Sequence, residues 1–289
     1  MRFQVLSLLT VLFATFSSLS AQAQELPPYY GADFLAGYQS GKLKDQDLLD
    51  ALQKIVAGGH LKNQNAPDTI VPNCQGQSAK CVQHVALGYD GARTQMFGKL
   101  YLEQVGGVYA VKDVYCEHTF TDQDFGGKQS IGPGLIPGDG SVVNTEHTWP
   151  QSRFTNRFPK DTQKSDLHHL FPTDSEMNSK RGNIHFGQVV KEVEKLKCPI
   201  GRLGHQQNGE IVFEAPAHHR GNVARAIFYF ATRYQMKLTV PEEAALREWN
   251  QQDPVDESVF NQNVEIEKLQ GNLNPFIDFP TLVDRIQHF

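Results

Sequence analysis

Within the polar run that begins at Asp45, apolar residues fall at Leu48, Leu49, Leu52 and Ile55. This is the spacing of one helical face, and Gly58-Gly59 closes the run. From Leu100 to Tyr115 short apolar stretches flank Gly106-Gly107, which predicts two strands joined by a tight turn. Gly126 to Ser141 holds six glycines and two prolines and is read as loop. Asn222 to Met236 predicts a helix with Ala224, Ile227, Phe228, Ala231 and Tyr234 on its apolar face and Arg225 and Arg233 on its surface. Pro241 to Asn250 predicts another, with proline in its first turn. No internal repeat or long linker divides the chain, so the pattern implies a single mixed α+β domain.

The stretch from Val142 to Asn183 is the most informative. Val142 to Trp149 is β-branched and apolar and is stopped by Pro150, so it reads as a strand delivering Asn144, Glu146 and His147 towards its end. Leu167-His168-His169-Leu170-Phe171 reads as a second strand stopped by Pro172, after a loop from Gln151 to Asp166 carrying Arg153, Arg157, Lys160 and Lys164. Thr173-Asp174-Ser175-Glu176 has the form of a capping box, which starts a short helix ending at Gly182, with Asn178 in its second turn. The unit is strand, strand, helix over about 142–183. Adjacent strand residues point to opposite faces, so Glu146 and His147 share a site only near the strand's end, where a bulge could redirect one of them.

Composition narrows the class. With 39% hydrophobic and 20% charged residues in 289, the chain has a core-forming composition and is neither disordered nor collagen-like. The formal charge of -5 hides an uneven distribution: residues 147–202 carry ten basic groups against six acidic, while 242–289 carry three against ten. Arg2, the apolar run Val5 to Phe16 and Ala21-Gln22-Ala23 read as an export signal over 1–23, with the folded domain over 24–289. No later segment has the length of a membrane-spanning helix. Four cysteines fit an oxidising compartment and allow three pairings; Cys74 with Cys81 is the local choice, leaving Cys116 with Cys198, and four thiolates on one zinc are the alternative.

The residue types suit phosphodiester hydrolysis, which needs a deprotonated water and charge stabilisation at an anionic phosphorus centre. A neutral His147 is a suitable proton acceptor, oriented through its other nitrogen by a backbone carbonyl of the loop. One carboxylate and one amide oxygen would leave most of an octahedral Mg²⁺ shell for water and substrate.

The motifs Asn144-x-Glu146-His147-x-x-Pro150 and Asp166-Leu167-His168-His169-Leu170-x-Pro172, continued by Asn178-x-x-Arg181-x-Asn183, resemble the bacterial endonuclease I family. Trp249 to Pro254 and Gln270 to Asp278 are similar to its C-terminal segment, although Leu273 and Phe279 stand where that family carries Arg and His. The resemblance implies an exported nuclease of low sequence specificity with a ββα-metal (His-Me finger) site, cutting DNA and also RNA to leave 5′-phosphates. It implies His147 as general base, Glu146 and Asn178 on one divalent ion (Mg²⁺, with Mn²⁺ or Ca²⁺ as alternatives), and Arg181 on phosphate. Arg153, Arg157 and Lys164 are candidates for a loop cation at the scissile phosphate. Lys180 and Arg225 are further substrate-binding candidates, Arg225 being alternatively a buried ion-pair member. Asn144, Asp166, His168 and His169 would support the site. The expected partner is nucleic acid held through its phosphates by a monomer without membrane attachment. A zinc hydrolase built on the histidines, or a secreted polyanion-binding protein with a degenerate site, are the rival readings.

Overall fold

Helices and short antiparallel sheets alternate in the computed structural model, which describes residues 27–289. The export signal expected over 1–23 lies outside the described residues. Helices α1 (Ala32–Gln39) and α2 (Asp45–Ala57) come first, and α2 buries Leu48, Leu52 and Ile55 as its spacing requires. Strands β1 (Gly59–Leu61), β2 (Thr69–Val71) and β3 (Cys81–Gln83) form a small sheet in the order β2-β1-β3. After helix α3 (Tyr89–Gln95), strands β4 (Leu102–Val105) and β5 (Val108–Lys112) make the expected hairpin, and β6 (Thr119–Thr121) joins β5. Its turn is Gly106-Gly107, both at positive φ, a conformation that costs glycine little.

Next come β7 (Val143–His147), a short helix α4 (Lys160–Lys164), β8 (Leu170–Asp174) and α5 (Ser175–Arg181). A third small sheet, β9 (Lys191–Glu194), β10 (Arg202–His205) and β11 (Ile211–Glu214), precedes helices α6 (Arg220–Tyr234), α7 (Val240–Gln252), α8 (Glu257–Gln270) and α9 (Pro275–Asp278). The architecture is a mixed α+β single domain. Among the described residues no helix is long and apolar enough to cross a membrane.

Helix α6 is the axis of the main core. Its Ile227, Phe228 and Phe230 pack with Trp149, Trp249 and Phe276, and nearly every residue from Val223 to Tyr234 is buried. A helix buried on all sides must bury its polar residues too, which corrects the placement of Arg225 and Arg233 on its surface. Arg225 donates to Asn222 Oδ1 and to the Asp253 carbonyl, each at 2.8 Å. Arg233 lies 3.4 Å from the buried Asp166. A second apolar cluster, including Phe97, Val111, Val143, Leu170 and Ile266, lies between the hairpin sheet, the β7-β8 ribbon and α8. The ribbon is therefore wedged between two packed bodies, which fixes whatever side chains it carries. Leu273 and Phe279 are buried in the main core.

Both disulfides of the local-pair reading form, Cys74–Cys81 and Cys116–Cys198, so four thiolates on zinc is not the arrangement. The second spans 82 residues and ties the segment after β5 to that after β9.

Candidate active site

The site is built on the β7-β8 ribbon. Its antiparallel ladder runs from Val143↔Asp174 to His147↔Leu170 without a register shift, and Thr148 N–H continues it to the His169 carbonyl at 3.0 Å. The bulge expected near Glu146 is therefore absent. Glu146 and His147 instead take different neighbours, as adjacent strand residues must. Leu167–His169 is a 3₁₀ turn and β8 begins at Leu170, so the second strand lies further along than its apolar pattern indicates. Pro172 sits inside β8 rather than ending it. In a two-stranded ribbon each strand is an edge, so a missing N–H is tolerated, and its carbonyl accepts from Val114 at 3.0 Å. The helix cap moves by one residue as well: Asp174, not Thr173, accepts from the N–H groups of Glu176 and Met177 at 3.0 and 3.1 Å.

Glu146, His147 and Asn178 line one open cleft of ≈ 530 Å³ together with Tyr89, Asn144, Gln151, Ser152 and Asn183. Glu146 is buried at 1% exposure. Its Oε1 accepts from the Tyr115 hydroxyl at 2.8 Å and meets the Arg181 guanidinium at 3.2 Å. Burial pushes the Glu146 carboxyl up from its ordinary value, with Arg181 and Tyr115 opposing that rise. Asn178 donates its Nδ2 to the Thr145 carbonyl at 3.0 Å, which fixes the amide on the ribbon. Glu146 Oε2 and Asn178 Oδ1 take no hydrogen bond from the described residues. Both residues line the cleft, and one hard carboxylate oxygen with one hard amide oxygen fits a divalent ion that keeps most of its water shell. Among the described residues no group of three or more His, Cys, Asp and Glu is placed to hold a metal.

His147 hydrogen-bonds through Nε2 to the Lys164 carbonyl at 3.1 Å, the loop-carbonyl orientation expected from sequence. A carbonyl only accepts, so Nε2 carries the proton and Nδ1 keeps its lone pair. The Gln151 amide donates to Nδ1 at 3.3 Å. Burial, and then the neighbouring His169, push the His147 imidazole down to about 3, so it is neutral at ordinary pH. His168 and His169 are held the same way, their Nε2 atoms on the carbonyls of Asn272 at 2.9 Å and Gln163 at 2.8 Å. Both rings are buried, and the His169 ring centre is 5.4 Å from that of His147.

Behind the histidines, Asp166 accepts from Tyr229 at 2.9 Å, Tyr234 at 2.8 Å and Gln270 at 2.9 Å. Burial alone would raise its carboxyl, but the charge of His84, once that ring is protonated at low pH, and of Arg233 holds it below the usual carboxylate range. Asn144 turns its Oδ1 to the Thr145 N–H at 2.8 Å at the cleft wall.

The expected phosphate contacts separate. Arg181 is buried and donates to the carbonyls of His147 at 3.1 Å and Thr148 at 2.5 Å, so it braces the strand end and Glu146 while lining the cleft beside them. Arg225 is buried in α6 as its alternative required, but on the amide oxygens of Asn222 and Asn250 and the Asp253 carbonyl rather than in an ion pair. Arg153 lies 3.5 Å from the buried Glu242 and over the Trp149 ring. Arg157 turns away to Gln235 at the end of α6. Lys180 pairs with Glu194 at 2.8 Å on the surface. Lys164 lays its Nζ over the ring of cleft-lining Tyr89, 4.0 Å from the centroid. Sequence reading missed Tyr115, Gln151 and Tyr89. Tyr115 and Tyr89 stand 31 and 57 residues before Glu146 and have no local motif to mark them. Gln151 follows Pro150 directly and its proximity to His147 was available from that spacing.

A sequence family described as Endonuclease I matches residues 77–281. An extracellular ribonuclease of Bacillus subtilis (strain 168) is 35% identical over 179 residues, 55% of this chain and 58% of its own. An extracellular deoxyribonuclease of Aeromonas hydrophila is 31% identical over 116 residues, 40% of this chain and 49% of its own. An Endonuclease-1 of Buchnera aphidicola subsp. Acyrthosiphon pisum is 29% identical over 115 residues, 39% of this chain and 44% of its own. The chain spans about half the length of these curated relatives.

Proposed function

Because the chain belongs to the endonuclease I family, we propose that it is an exported, metal-dependent endonuclease that hydrolyses DNA and RNA with little sequence preference. The observation that carries this reading is the meeting of Glu146, Asn178 and a neutral, carbonyl-oriented His147 in one cleft. His147 Nδ1 takes the proton of the attacking water. The water oxygen forms a bond to phosphorus and the bond from phosphorus to the 3′ oxygen breaks, leaving a 5′-phosphate and a 3′ oxygen that takes a proton from solvent water to become the 3′-hydroxyl. Gln151 must release Nδ1 as substrate and water enter. Glu146 Oε2 and Asn178 Oδ1 would hold the ion, with Mg²⁺ the best match to two hard oxygens. Bound there, it supplies charge stabilisation for the transition state and the departing oxygen. Arg181 and Tyr115 keep the Glu146 carboxylate charged and aimed.

The relatives' names cover both extracellular ribonuclease and deoxyribonuclease, which supports export and a backbone-directed choice of substrate. The zinc reading loses support because, among the described residues, no group of three or more His, Cys, Asp and Glu is placed to hold a metal. The test is metal removal: the EDTA-stripped protein is given supercoiled plasmid or single-stranded RNA. Cleavage restored by Mg²⁺, with phosphatase-releasable 5′ ends, is the expected result. Restoration by Zn²⁺ alone, or binding without nicking, would overturn it.

A further inference from the structure

Tyr89 opens helix α3, outside the ribbon and its motif, yet its ring lines the cleft. The ring centre stands 5.6 Å from that of His147, and the Lys164 ammonium sits 4.0 Å from it. Lys164 is thus connected to the site twice: its carbonyl orients His147 at 3.1 Å, and its ammonium lies over the ring of Tyr89, which itself lines the cleft. Other cations near the ribbon are committed. Arg181 is enclosed around Glu146, Arg153 is drawn to Glu242, Lys180 is paired with Glu194, and Arg93, which also lies over the Tyr89 ring at 5.4 Å, is 3.7 Å from Asp90. Among the described residues no carboxylate lies within ion-pair distance of Lys164. An ammonium without a counter-charge, held against an aromatic face beside the general base, meets a phosphate at little cost in side-chain ordering.

We propose that Tyr89 is a positioning residue for substrate: its ring holds the Lys164 ammonium at the cleft, where that cation contacts a backbone phosphate of the nucleic acid. The proposal rests on the nuclease reading above. It assigns the phosphate-facing cation of this chain to a lysine whose placement depends on a residue from α3, 75 positions earlier in sequence.

The test measures binding of a short fluorescein-labelled DNA duplex by anisotropy in EDTA, so that no cleavage intervenes, across a range of salt concentrations. Each phosphate contact contributes about 0.9 to the slope of log Kd against log salt on duplex DNA. Lys164→Gln is expected to lower the wild-type slope by about one contact. Tyr89→Leu is expected to reproduce most of that loss, and the double variant to be no weaker than Lys164→Gln alone, because both remove one contact. Tyr89→Phe, which keeps the ring, is expected to restore the wild-type slope. Thermal midpoints of all variants identify any loss caused by misfolding. An unchanged slope in Lys164→Gln or Tyr89→Leu, or additive losses in the double variant, would overturn the proposal while leaving the nuclease reading intact. Wild-type protein without salt-dependent binding would overturn that reading and this proposal with it.

Discussion

Glu146 keeps a carboxylate in a buried position on the cleft wall because Tyr115 and Arg181 both meet its Oε1. Removing one member of such a buried pair leaves an uncompensated charge, at a cost of roughly 3–5 kcal/mol. Arg181→Met is therefore expected to lower stability by about that amount, read as a fall in the urea midpoint with unchanged slope. Arg181→Lys recovers only part, since an ammonium lacks the fork that reaches both the His147 and Thr148 carbonyls. A residue whose task was to grip phosphate would behave oppositely, raising KM with stability intact. That outcome would restore the role which family resemblance assigns to Arg181. The sequence showed the residue and its spacing; which way the guanidinium faces depends on the burial of Glu146, which no local pattern encodes.

At the scale of elements, the ribbon and helix were legible because apolar runs, prolines and capping residues mark them within forty residues. The errors were of register and have local causes. Thr173 and Asp174 are both capping residues, but Thr173 is used as the ladder partner of Asn144, so the cap passes to Asp174. Pro172 stops a central strand but not an edge, and whether a strand is an edge is decided by the sheet. Helix α6 shows the reverse limit: its apolar face was evident, but enclosure on the other faces comes from elements on both sides of it.

The two disulfides differ at this scale. Cys116–Cys198 closes 82 residues and Cys74–Cys81 only seven. In the chain-entropy account the long closure is worth about 4.5 kcal/mol and the short one about 2.4. Cys116→Ser/Cys198→Ser should thus lower the urea midpoint more than Cys74→Ser/Cys81→Ser. Equal losses would mean that strain or residual structure, rather than loop closure, sets their value.

Across the whole molecule, charge and burial are arranged unevenly in ways that the net charge of -5 conceals. The site's rear support joins Asp166 to Tyr229, Tyr234, Gln270 and Arg233, partners 63 or more residues away, and so could not be read from the motif around it. Buried histidines extend along the chain. Burial pushes His84, His147 and His219 down to about 3 and His168 and His169 to about 4. Unfolded histidines take up protons near pH 6.5 while these rings stay neutral in the fold. Below that pH the unfolded state binds more protons, so stability falls as pH drops from about 6.5 towards 4. Asp166 acts in a lower window: its contribution is present above the ordinary carboxylate range and is lost only as pH falls towards its depressed value. The urea midpoint is expected to be markedly lower at pH 4.5 than at pH 7. An unchanged midpoint would show that the rings protonate in place.

The central claim is that His147 accepts the proton of the attacking water. Its most direct test is the single-turnover rate of plasmid nicking by His147→Ala at saturating Mg²⁺, with binding of the same DNA measured in parallel. Loss of a general base predicts a rate roughly 10²–10⁴-fold below wild type, with DNA affinity retained. A rate within a few-fold of wild type would contradict the account and remove His147 from the reaction.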